Sequence, residues 1–269
     1  MIAVVDYQKG NLKSVERGLI AAGGEAFITA DASEIAKADA IVLPGVGAFA
    51  DAAATMCELG QMEAIRERVR AGVPFLGICL GEHLMFEHGV EGAPEGSPAC
   101  GLGLLPGTVV AMPRYDEQGK AFKVPHVGWN TIEMPACNGG AAVPPCGGVG
   151  GNAVLSSGGV GGGAARSSAA KRGLFEHGAF PDSTPQPGGE LAFACPLFDG
   201  IAPGEYFYFT HSYIAPTGSH TIAETTHSVR FTSAVQYGDR AFGVQFHPEK
   251  SSDAGARVLA NFVAIAARG

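Results

Sequence analysis

The chain has 269 residues, 46% hydrophobic and 16% charged, with a formal net charge of −8 at pH 7. This length suffices for one α/β domain with a sizeable core, and the acidic balance argues against nucleic acid or an anionic membrane as the main partner. No run of about eighteen apolar residues predicts a membrane span, and the N-terminal run lacks the basic start of a signal peptide. The six cysteines contain no Cys-x-x-Cys pair, which favours free thiols in a reducing cytoplasm. Three of them are too loosely spaced to predict a metal site: Cys137, Cys146 and Cys195.

Short apolar strands alternate with helical patterns along the first part of the chain. Strands are predicted at residues 2–5, 25–28, 40–43 and 73–78, a helix at 11–22, and a helical region at 49–71 that is interrupted near Gly60. This alternation predicts an α/β fold, with an open, mostly parallel sheet flanked by helices on both faces. The second half is richer in strands. They are expected at 108–112, 121–124, 206–210, 220–226, 231–237 and 241–246, before an amphipathic helix at 253–267.

A glycine-rich segment interrupts the chain between residues 135 and 195. Residues 138–170 contain 11 glycines, and Arg166 is their only charged residue. Such a composition has too little apolar bulk to offset the entropy of ordering the backbone, which predicts a largely disordered insertion. The remaining parts of the chain, residues 1–134 and 196–269, would then form one domain.

Residues 77–81 carry the strongest chemical signal. An apolar strand runs into Cys79, which is flanked by Gly77 and Gly81, and a helical apolar pattern follows at Leu80, Leu84 and Met85. This pattern is typical of a nucleophile elbow with sulfur in place of oxygen, because the tight strand-to-helix turn needs flanking residues without bulk. A helix N-terminus at the cysteine would favour the thiolate. The alternative is a buried core cysteine without chemistry.

A candidate base for this thiolate lies far downstream. Phe242, Val244 and Phe246 alternate with smaller or polar residues as on a strand, and His247 ends that strand. Glu249 stands two residues further on, so both side chains can project toward one region. His247 would take the proton from Cys79 and return it to a leaving group, while Glu249 would hold the imidazole in the correct tautomer.

The strand predicted at residues 40–43 ends in a glycine-rich loop that contains Gly45, Val46 and Gly47. Glycines let the backbone N–H groups of such a loop turn inward without steric cost. Beside a nucleophile these groups can form an oxyanion hole, together with the N–H of Leu80. In isolation, the same loop could be an ordinary turn at the end of a strand.

These segments together resemble class I (triad) glutamine amidotransferases. More narrowly, the chain resembles the HisH family, the glutaminase subunits of imidazole glycerol phosphate synthase. The resemblance covers roughly residues 1–134 and 196–269. Its motifs are Asp-Tyr-Gln-Lys-Gly-Asn-Leu-Lys-Ser-Val at 6–15, Leu-Pro-Gly-Val-Gly-Ala-Phe at 43–49, Gly-Leu-Gly-Leu-Leu-Pro-Gly at 101–107, Pro-His-Val-Gly-Trp-Asn at 125–130, Tyr-Phe-Tyr-Phe-Thr-His-Ser-Tyr at 206–213 and Phe-His-Pro-Glu-Lys-Ser at 246–251.

The resemblance implies a flavodoxin-like core and a glutaminase with a Cys79, His247 and Glu249 triad. It implies no metal and no organic cofactor, with glutamine as substrate and a (β/α)₈ synthase subunit as the partner in a heterodimer. The released ammonia would pass to that partner, which makes imidazole glycerol phosphate in histidine biosynthesis. The substrate-binding residues implied in this way are His83, Glu91, His211, Ser212 and Tyr213. The implied partner interface comprises Asn11, His126, Trp129, Asn130 and Lys250.

One position departs from the family pattern. Members usually carry Gln four residues after the nucleophile, where it contacts the substrate, whereas this chain has His83. Glutamine affinity could therefore differ and could depend on pH. Three alternatives stay open: an amidotransferase subunit of a different synthase, a free-standing hydrolase or cysteine peptidase of related fold, and a non-catalytic regulatory subunit.

Overall fold

The computed structural model describes residues 1–135 and 192–268, and these belong to one compact unit. Almost all of the predicted insertion, including Cys137 and Cys146, therefore lies outside the described residues. The described strands are β1 (Ile2–Val5), β2 (Ala26–Thr29), β3 (Ala40–Gly45), β4 (Phe75–Cys79), β5 (Phe86–Gly89), β6 (Ala99–Cys100), β7 (Leu105–Ala111), β8 (His126–Thr131), β9 (Tyr206–His211), β10 (Tyr213–Ile214), β11 (Thr221–Thr226), β12 (Arg230–Tyr237) and β13 (Ala241–Val244). The helices are α1 (Leu12–Ala21), α2 (Ala32–Ile35), α3 (Phe49–Glu58), α4 (Gln61–Arg70), α5 (Leu80–His83) and α6 (Ser252–Ala267).

A seven-stranded sheet organises the domain, in the order β11-β12-β13-β4-β3-β1-β2. The five strands from β13 to β2 are parallel to their neighbours, while β11, β12 and β13 pair antiparallel. The parallel part has the doubly wound order of flavodoxin-like folds, in which the first strand lies between the second and the third. The predicted fold class, an open and mostly parallel sheet with helices and a strand-rich second half, is confirmed.

Helices cover both faces of this sheet because its central strands are apolar at nearly every position. All residues of β1, β3 and β4 are buried, which is typical of parallel strands. Successive side chains point to opposite faces. Val4 and Val42 therefore pack in the cluster that contains residues of α1 and α6. Val5 and Ile41 pack in the cluster that contains residues of α3 and α4.

Two smaller sheets complete the described part of the chain. One has the strand order β10-β7-β5-β6, and the other is the antiparallel pair of β8 and β9. In this pair Trp129 lies opposite Tyr208, and His126 lies opposite His211. Because side chains alternate along a strand, Trp129 is exposed whereas His126 and His211 are buried.

Several sequence-based predictions differ from the structure. The predicted strand at 121–124 is wrong: this segment makes only an isolated bridge between Tyr115 and Ala121, around a turn in which Asp116 accepts bonds from two backbone N–H groups. The proline at 125 has no N–H to extend such a ladder. The strand predicted to reach residue 246 ends at Val244. The helix after Cys79 has only four residues, because the apolar run continues into β5.

The described residues just before 196 already belong to the core. Phe193 and Cys195 are buried in the cluster that also contains Phe198, and the ring centroids of Phe193 and Phe198 are 4.9 Å apart. The domain therefore resumes earlier than the predicted boundary at 196.

Candidate active site

Strand register brings the three predicted site segments to one edge of the main sheet. In the parallel ladder of β3 and β4, Gly45 lies opposite Cys79. On the other side of β4, Ile78 pairs with Val244 of β13. Val244 lies three residues before His247. The nucleophile candidate thus stands between the glycine-rich loop and the His-x-Glu segment, at the carboxyl ends of adjacent parallel strands, where such sheets place their sites.

Cys79 sits on a strained turn. Its backbone angles are φ 53° and ψ −106°, and positive φ is rare for residues other than glycine. A side chain at Gly77 would collide with the backbone of Gly81, and one at Gly81 would collide with the carbonyl of Leu43. The elbow therefore requires glycine on both sides of the cysteine. Because α5 has only four residues, its dipole is small, and local donors must supply most of the stabilisation of a thiolate.

His247 and Glu249 form a buried pair. The distance from His247 Nδ1 to Glu249 Oε1 is 3.0 Å, and their side chains are 3% and 1% exposed. Burial lowers the pKa of His247, but hydrogen bonding and charge from Cys79 and Glu249 outweigh it and raise that pKa to about 9. At neutral pH the imidazole therefore carries a proton on both nitrogens, and Nδ1 donates to the carboxylate.

The contact between His247 and Cys79 is close but not aligned. His247 Nε2 has no hydrogen-bond partner of ordinary geometry among the described residues, although Cys79 interacts with the imidazole strongly enough to raise its pKa. Catalytic hydrogen bonds are often poorly aligned in free enzymes and tighten when substrate binds. The pair is therefore an imidazolium beside a sulfur that it can stabilise as a thiolate.

A buried glutamine also reaches the sulfur. Gln245 Nε2 lies 3.6 Å from Cys79 Sγ, and Gln245 Oε1 lies 2.7 Å from His83 Nε2. Burial lowers the pKa of His83 to about 4, and the hydrogen bond to Gln245 only partly opposes this. His83 is therefore neutral at neutral pH, so the pH dependence expected around its ordinary titration range is not supported. Sequence reasoning missed Gln245, although its place two residues before His247 on an alternating segment was a signal.

A cleft of about 380 Å³ opens over the cysteine, a volume suited to a small molecule. Nine residues predicted from the sequence line it: Val46, Gly47, Cys79, Leu80, His83, Glu91, His211, Ser212 and Tyr213. Ala48, Pro125 and Thr210 also line it and were not predicted. Burial raises the pKa of Glu91, and a hydrogen bond from the backbone of Phe49 opposes that rise. Glu91 is thus anchored at the start of α3.

The glycine-rich loop rests on a buried tyrosine that sequence reasoning also missed. The hydroxyl of Tyr7 fills the space where a side chain at Gly45 would lie. Burial and the nearby Cys79 raise the pKa of Tyr7 far above its usual value, while the backbone N–H of Val46 opposes the rise. The hydroxyl has no partner of full hydrogen-bond geometry. The Val46 N–H is therefore directed partly toward Tyr7, although an oxyanion hole would need it in the cleft.

The predicted interface residues divide into two groups. Asn11, Trp129 and Lys250 are exposed, and the ammonium of Lys250 lies 5.9 Å from the ring centroid of Tyr208. The side chain of His126 is only 4% exposed and faces the interior of the domain, so its place at the partner interface stays a prediction. The side chain of Asn130 also bonds internally, to the carbonyl of Thr226 at 3.0 Å and to His126 at 3.3 Å.

His126 instead supports the cleft. Its Nδ1 lies 3.0 Å from His211 Nε2, and His211 Nδ1 lies 2.8 Å from the carbonyl of Tyr213. Since a carbonyl only accepts, His211 Nδ1 carries the proton and its Nε2 accepts from His126. Burial lowers the pKa of His126 to about 4, assisted by His227, and lowers that of His211 as well. This neutral chain holds the backbone of Tyr213 at the wall of the cleft.

Within the described ranges, no group of three or more His, Cys, Asp or Glu side chains is arranged to hold a metal ion. The described helices include none with the length and apolar character needed to cross a membrane.

Comparison with known proteins identifies the family of the chain. The model of the family "Glutamine amidotransferase class-I" matches residues 3–136 and 175–266. A crystal structure described as a glutamine amidotransferase aligns over 99% of this chain and 100% of its own, with a TM-score of 0.59 at 15% identity. PurLQS from Thermotoga maritima aligns over 98% and 97%, with a TM-score of 0.56 at 14% identity. These two structures support the fold alone, and the family match covers most of the sequence. The chain belongs to the class I glutamine amidotransferases.

Relatives with higher identity come from one branch of this family. The imidazole glycerol phosphate synthase subunit HisH of Moorella thermoacetica is 37% identical over 263 residues, covering 97% of this chain and 93% of the relative. The HisH subunit of Syntrophotalea carbinolica is 33% identical over 264 residues, covering 97% and 98%. That of Thiobacillus denitrificans is 35% identical over 269 residues, covering 97% and 90%.

Proposed function

We propose that this protein is the glutaminase subunit of an imidazole glycerol phosphate synthase and acts in histidine biosynthesis. One observation carries the glutaminase chemistry: Cys79 stands on a strained elbow at the floor of a cleft, beside the buried pair of His247 and Glu249. The HisH relatives support the choice of synthase.

The first half of the reaction makes a thioester. The Cys79 thiolate attacks the carboxamide carbon of glutamine, and the C–S bond forms as the carbonyl electrons move onto oxygen. The N–H of Leu80 and those of the loop at Gly45, Val46 and Gly47 stabilise this oxyanion. His247 then donates its Nε2 proton to the departing nitrogen. The C–N bond breaks, ammonia leaves, and the imidazole is neutral.

The second half restores the enzyme. Neutral His247 takes a proton from water as the water oxygen attacks the thioester carbon. The C–S bond breaks, glutamate leaves, and the thiolate and the imidazolium form again. Glu249 keeps the imidazole oriented through both steps because its carboxylate accepts from Nδ1. No metal and no organic cofactor takes part.

The cleft also has groups for the remainder of the substrate. Glu91 places a carboxylate on its wall, suited to the α-ammonium group of glutamine. His211, Ser212 and Tyr213 also line the cleft and carry polar backbone and side-chain groups. Hydrogen bonds between buried groups of the protein and the ammonium or carboxylate of a substrate give strong discrimination against analogues that lack these groups.

The ammonia would be used by a partner. The exposed Asn11, Trp129 and Lys250 form the proposed docking face for a (β/α)₈ synthase subunit, with which this chain forms a heterodimer. Ammonia then travels through a channel in that partner to its acceptor, so that the complex acts as a lyase and a glutaminase together. We place this complex in the cytoplasm, since the chain shows no paired cysteine motif.

Ammonia release from glutamine, with and without the synthase subunit and its acceptor ligand, tests the proposal. We expect glutamate and ammonia in equal amounts, with a large rise in the presence of the synthase subunit. Stimulation only by the synthase of a different pathway would favour the first alternative from the sequence. Full turnover without a partner would favour a free-standing hydrolase. Absence of glutaminase activity in every combination would leave a non-catalytic regulatory subunit.

A further inference from the structure

The environment of the cysteine sulfur contains one acceptor and one donor from the same chain. The carbonyl of Thr210 lies 3.9 Å from Cys79 Sγ, and a carbonyl oxygen disfavours an anionic sulfur. The amide nitrogen of Gln245 lies 3.6 Å from the same atom, and an N–H donor stabilises the anion. Whether the sulfur ionises therefore depends partly on which end of the Gln245 amide faces it.

A glutamine amide can face either way, and His83 decides between the two orientations. Gln245 is fully buried, and its backbone N–H is fixed to the carbonyl of Ser233 at 3.0 Å. With the amide nitrogen toward Cys79, its oxygen accepts from His83 Nε2 at 2.7 Å. This requires the neutral tautomer of His83 with its proton on Nε2. The reversed amide would place an oxygen against the thiolate.

We propose that Gln245 is a positioning residue for the nucleophile, held by His83 so that its amide donates to the Cys79 thiolate. His83 then acts on the sulfur through Gln245. This assignment rests on the proposed role of Cys79 as nucleophile. It also explains how this chain tolerates histidine at position 83, since a glutamine there could hold the same amide oxygen with its own NH₂ group.

Other titratable groups lie in or beside the same site, and the test must separate them from Gln245. They are His247 with Glu249 after β13, His83 on α5, His211 and Glu91 in the cleft, and Tyr7 under the glycine-rich loop. A change at Gln245 removes a donor and adds no charge, so it leaves the ionisable set intact. Gln245→Met has nearly the same length and no donor. Gln118→Met is the matched control, because Gln118 is exposed and remote in the turn around Asp116.

The experiment is alkylation of the free chain by iodoacetamide across pH, with each cysteine followed by peptide mass spectrometry. The exposed Cys57 is the internal reference. We expect Gln245→Met to slow alkylation of Cys79 about tenfold at pH 7 and to move its apparent pKa up by about one unit. Gln118→Met should change neither. Thermal unfolding identifies variants that fail to fold, and for these His83→Leu provides the second measurement.

A double-variant cycle tests the route through Gln245. His83→Leu should slow alkylation of Cys79 in the wild-type background and have no further effect in Gln245→Met, because the amide it orients is gone. His83→Gln should restore the wild-type rate. Equal effects of His83→Leu in both backgrounds, or an unchanged Cys79 profile in Gln245→Met, would overturn the proposal. These readouts need no glutamine turnover, so a failed glutaminase assay would contradict the proposed function and leave this test standing.

Discussion

Gly45 and Cys79 lie opposite each other in the parallel ladder of β3 and β4. This pairing sets the glycine-rich loop, which is the proposed oxyanion site, one strand away from the sulfur of the proposed nucleophile. The space between them is filled from below by Tyr7 and Leu80, so the loop backbone can approach the elbow only because residue 45 has no side chain. Catalytic competence therefore depends on the orientation of a few peptide groups.

Cys79→Ser should abolish glutamine-dependent activity and leave the synthase partner able to use free ammonia. The thiolate acts in ammonia release only, and a serine hydroxyl at this elbow has no comparable ionised form. Steady-state assays of the complex with glutamine or with an ammonium salt check this. Cys57→Ser, at an exposed cysteine, is the control. Substantial glutamine hydrolysis by Cys79→Ser would show that Cys79 is not the nucleophile.

His83→Gln should preserve or improve glutamine use, with its main effect on KM. The imidazole of His83 lines the cleft and is neutral near pH 7, because burial lowers its pKa to about 4. We therefore expect the same pH profile for both proteins between about pH 6 and 8. Initial rates over a range of glutamine concentrations at several pH values measure this. A large loss of kcat at constant KM would contradict it and assign His83 a role in the chemical step.

The isolated subunit should be nearly silent, and Tyr7→Phe should raise its basal activity. In the free protein the Val46 N–H is directed partly toward the Tyr7 hydroxyl, where it opposes the rise of the Tyr7 pKa, and we expect removal of that hydroxyl to free the N–H for the oxyanion. One such donor is worth about 100-fold or more in rate, so a gain of about tenfold is expected from partial release. Glutaminase assays without partner measure it, with Tyr115→Phe at an exposed tyrosine as control. Equal activity of wild type with and without partner would contradict the first part.

Glu82 is a buried acid whose two oxygens have no hydrogen-bond partner among the described residues, and burial raises its pKa well above the usual value. Below about pH 4.5 the group is protonated in both folded and unfolded chains. Above that pH the unfolded chain releases the proton while the folded chain keeps it, so wild type loses up to about 1.4 kcal/mol of stability per pH unit until the folded-state pKa is reached.

Glu82→Gln should remove this loss. Its free energy of unfolding should match wild type near pH 4 and exceed it by a margin that grows toward pH 7. Urea unfolding at pH 4, 5.5 and 7 measures the difference, with Glu58→Gln at an exposed position as the control. A constant difference between Glu82→Gln and wild type across this range would show that Glu82 does not stay protonated in the fold.

Replacement of residues 136–190 by a short Gly/Ser linker should leave partner-stimulated glutaminase activity intact, with a stability change of at most about 1–2 kcal/mol from loop closure. The glycine-rich composition and the intact motifs on either side support this. The deletion must stop before Phe193, because that ring is buried against Phe198. Phe193→Ala should cost about 3–5 kcal/mol in the free energy of unfolding. If Phe193→Ala left the free energy of unfolding unchanged and the deletion of 136–190 failed to fold, the division between dispensable insertion and core would be contradicted.

Much of the fold follows from local sequence pattern. Buried parallel strands are continuous apolar runs, and β1, β3 and β4 were predictable because nothing else explains such runs next to amphipathic helices. The strand prediction at 121–124 was wrong because four residues of suitable composition form a strand only if a neighbouring strand is available for hydrogen bonding. The length of the helix after Cys79 was overestimated for a similar reason. The same apolar spacing also occurs in a turn that leads into a buried strand.

The sequence by itself was enough to predict a candidate nucleophile, imidazole and carboxylate, because Gly-x-Cys-x-Gly and His-x-Glu are local patterns imposed by a tight turn and a strand end. Only the tertiary structure decided that Gln245 reaches the sulfur, that Tyr7 supports the glycine-rich loop and that His126 faces inward. Each of these depends on which strands lie side by side and in what register. A shift of one residue would turn His126 outward and Trp129 inward, and that register is set by packing across the whole domain.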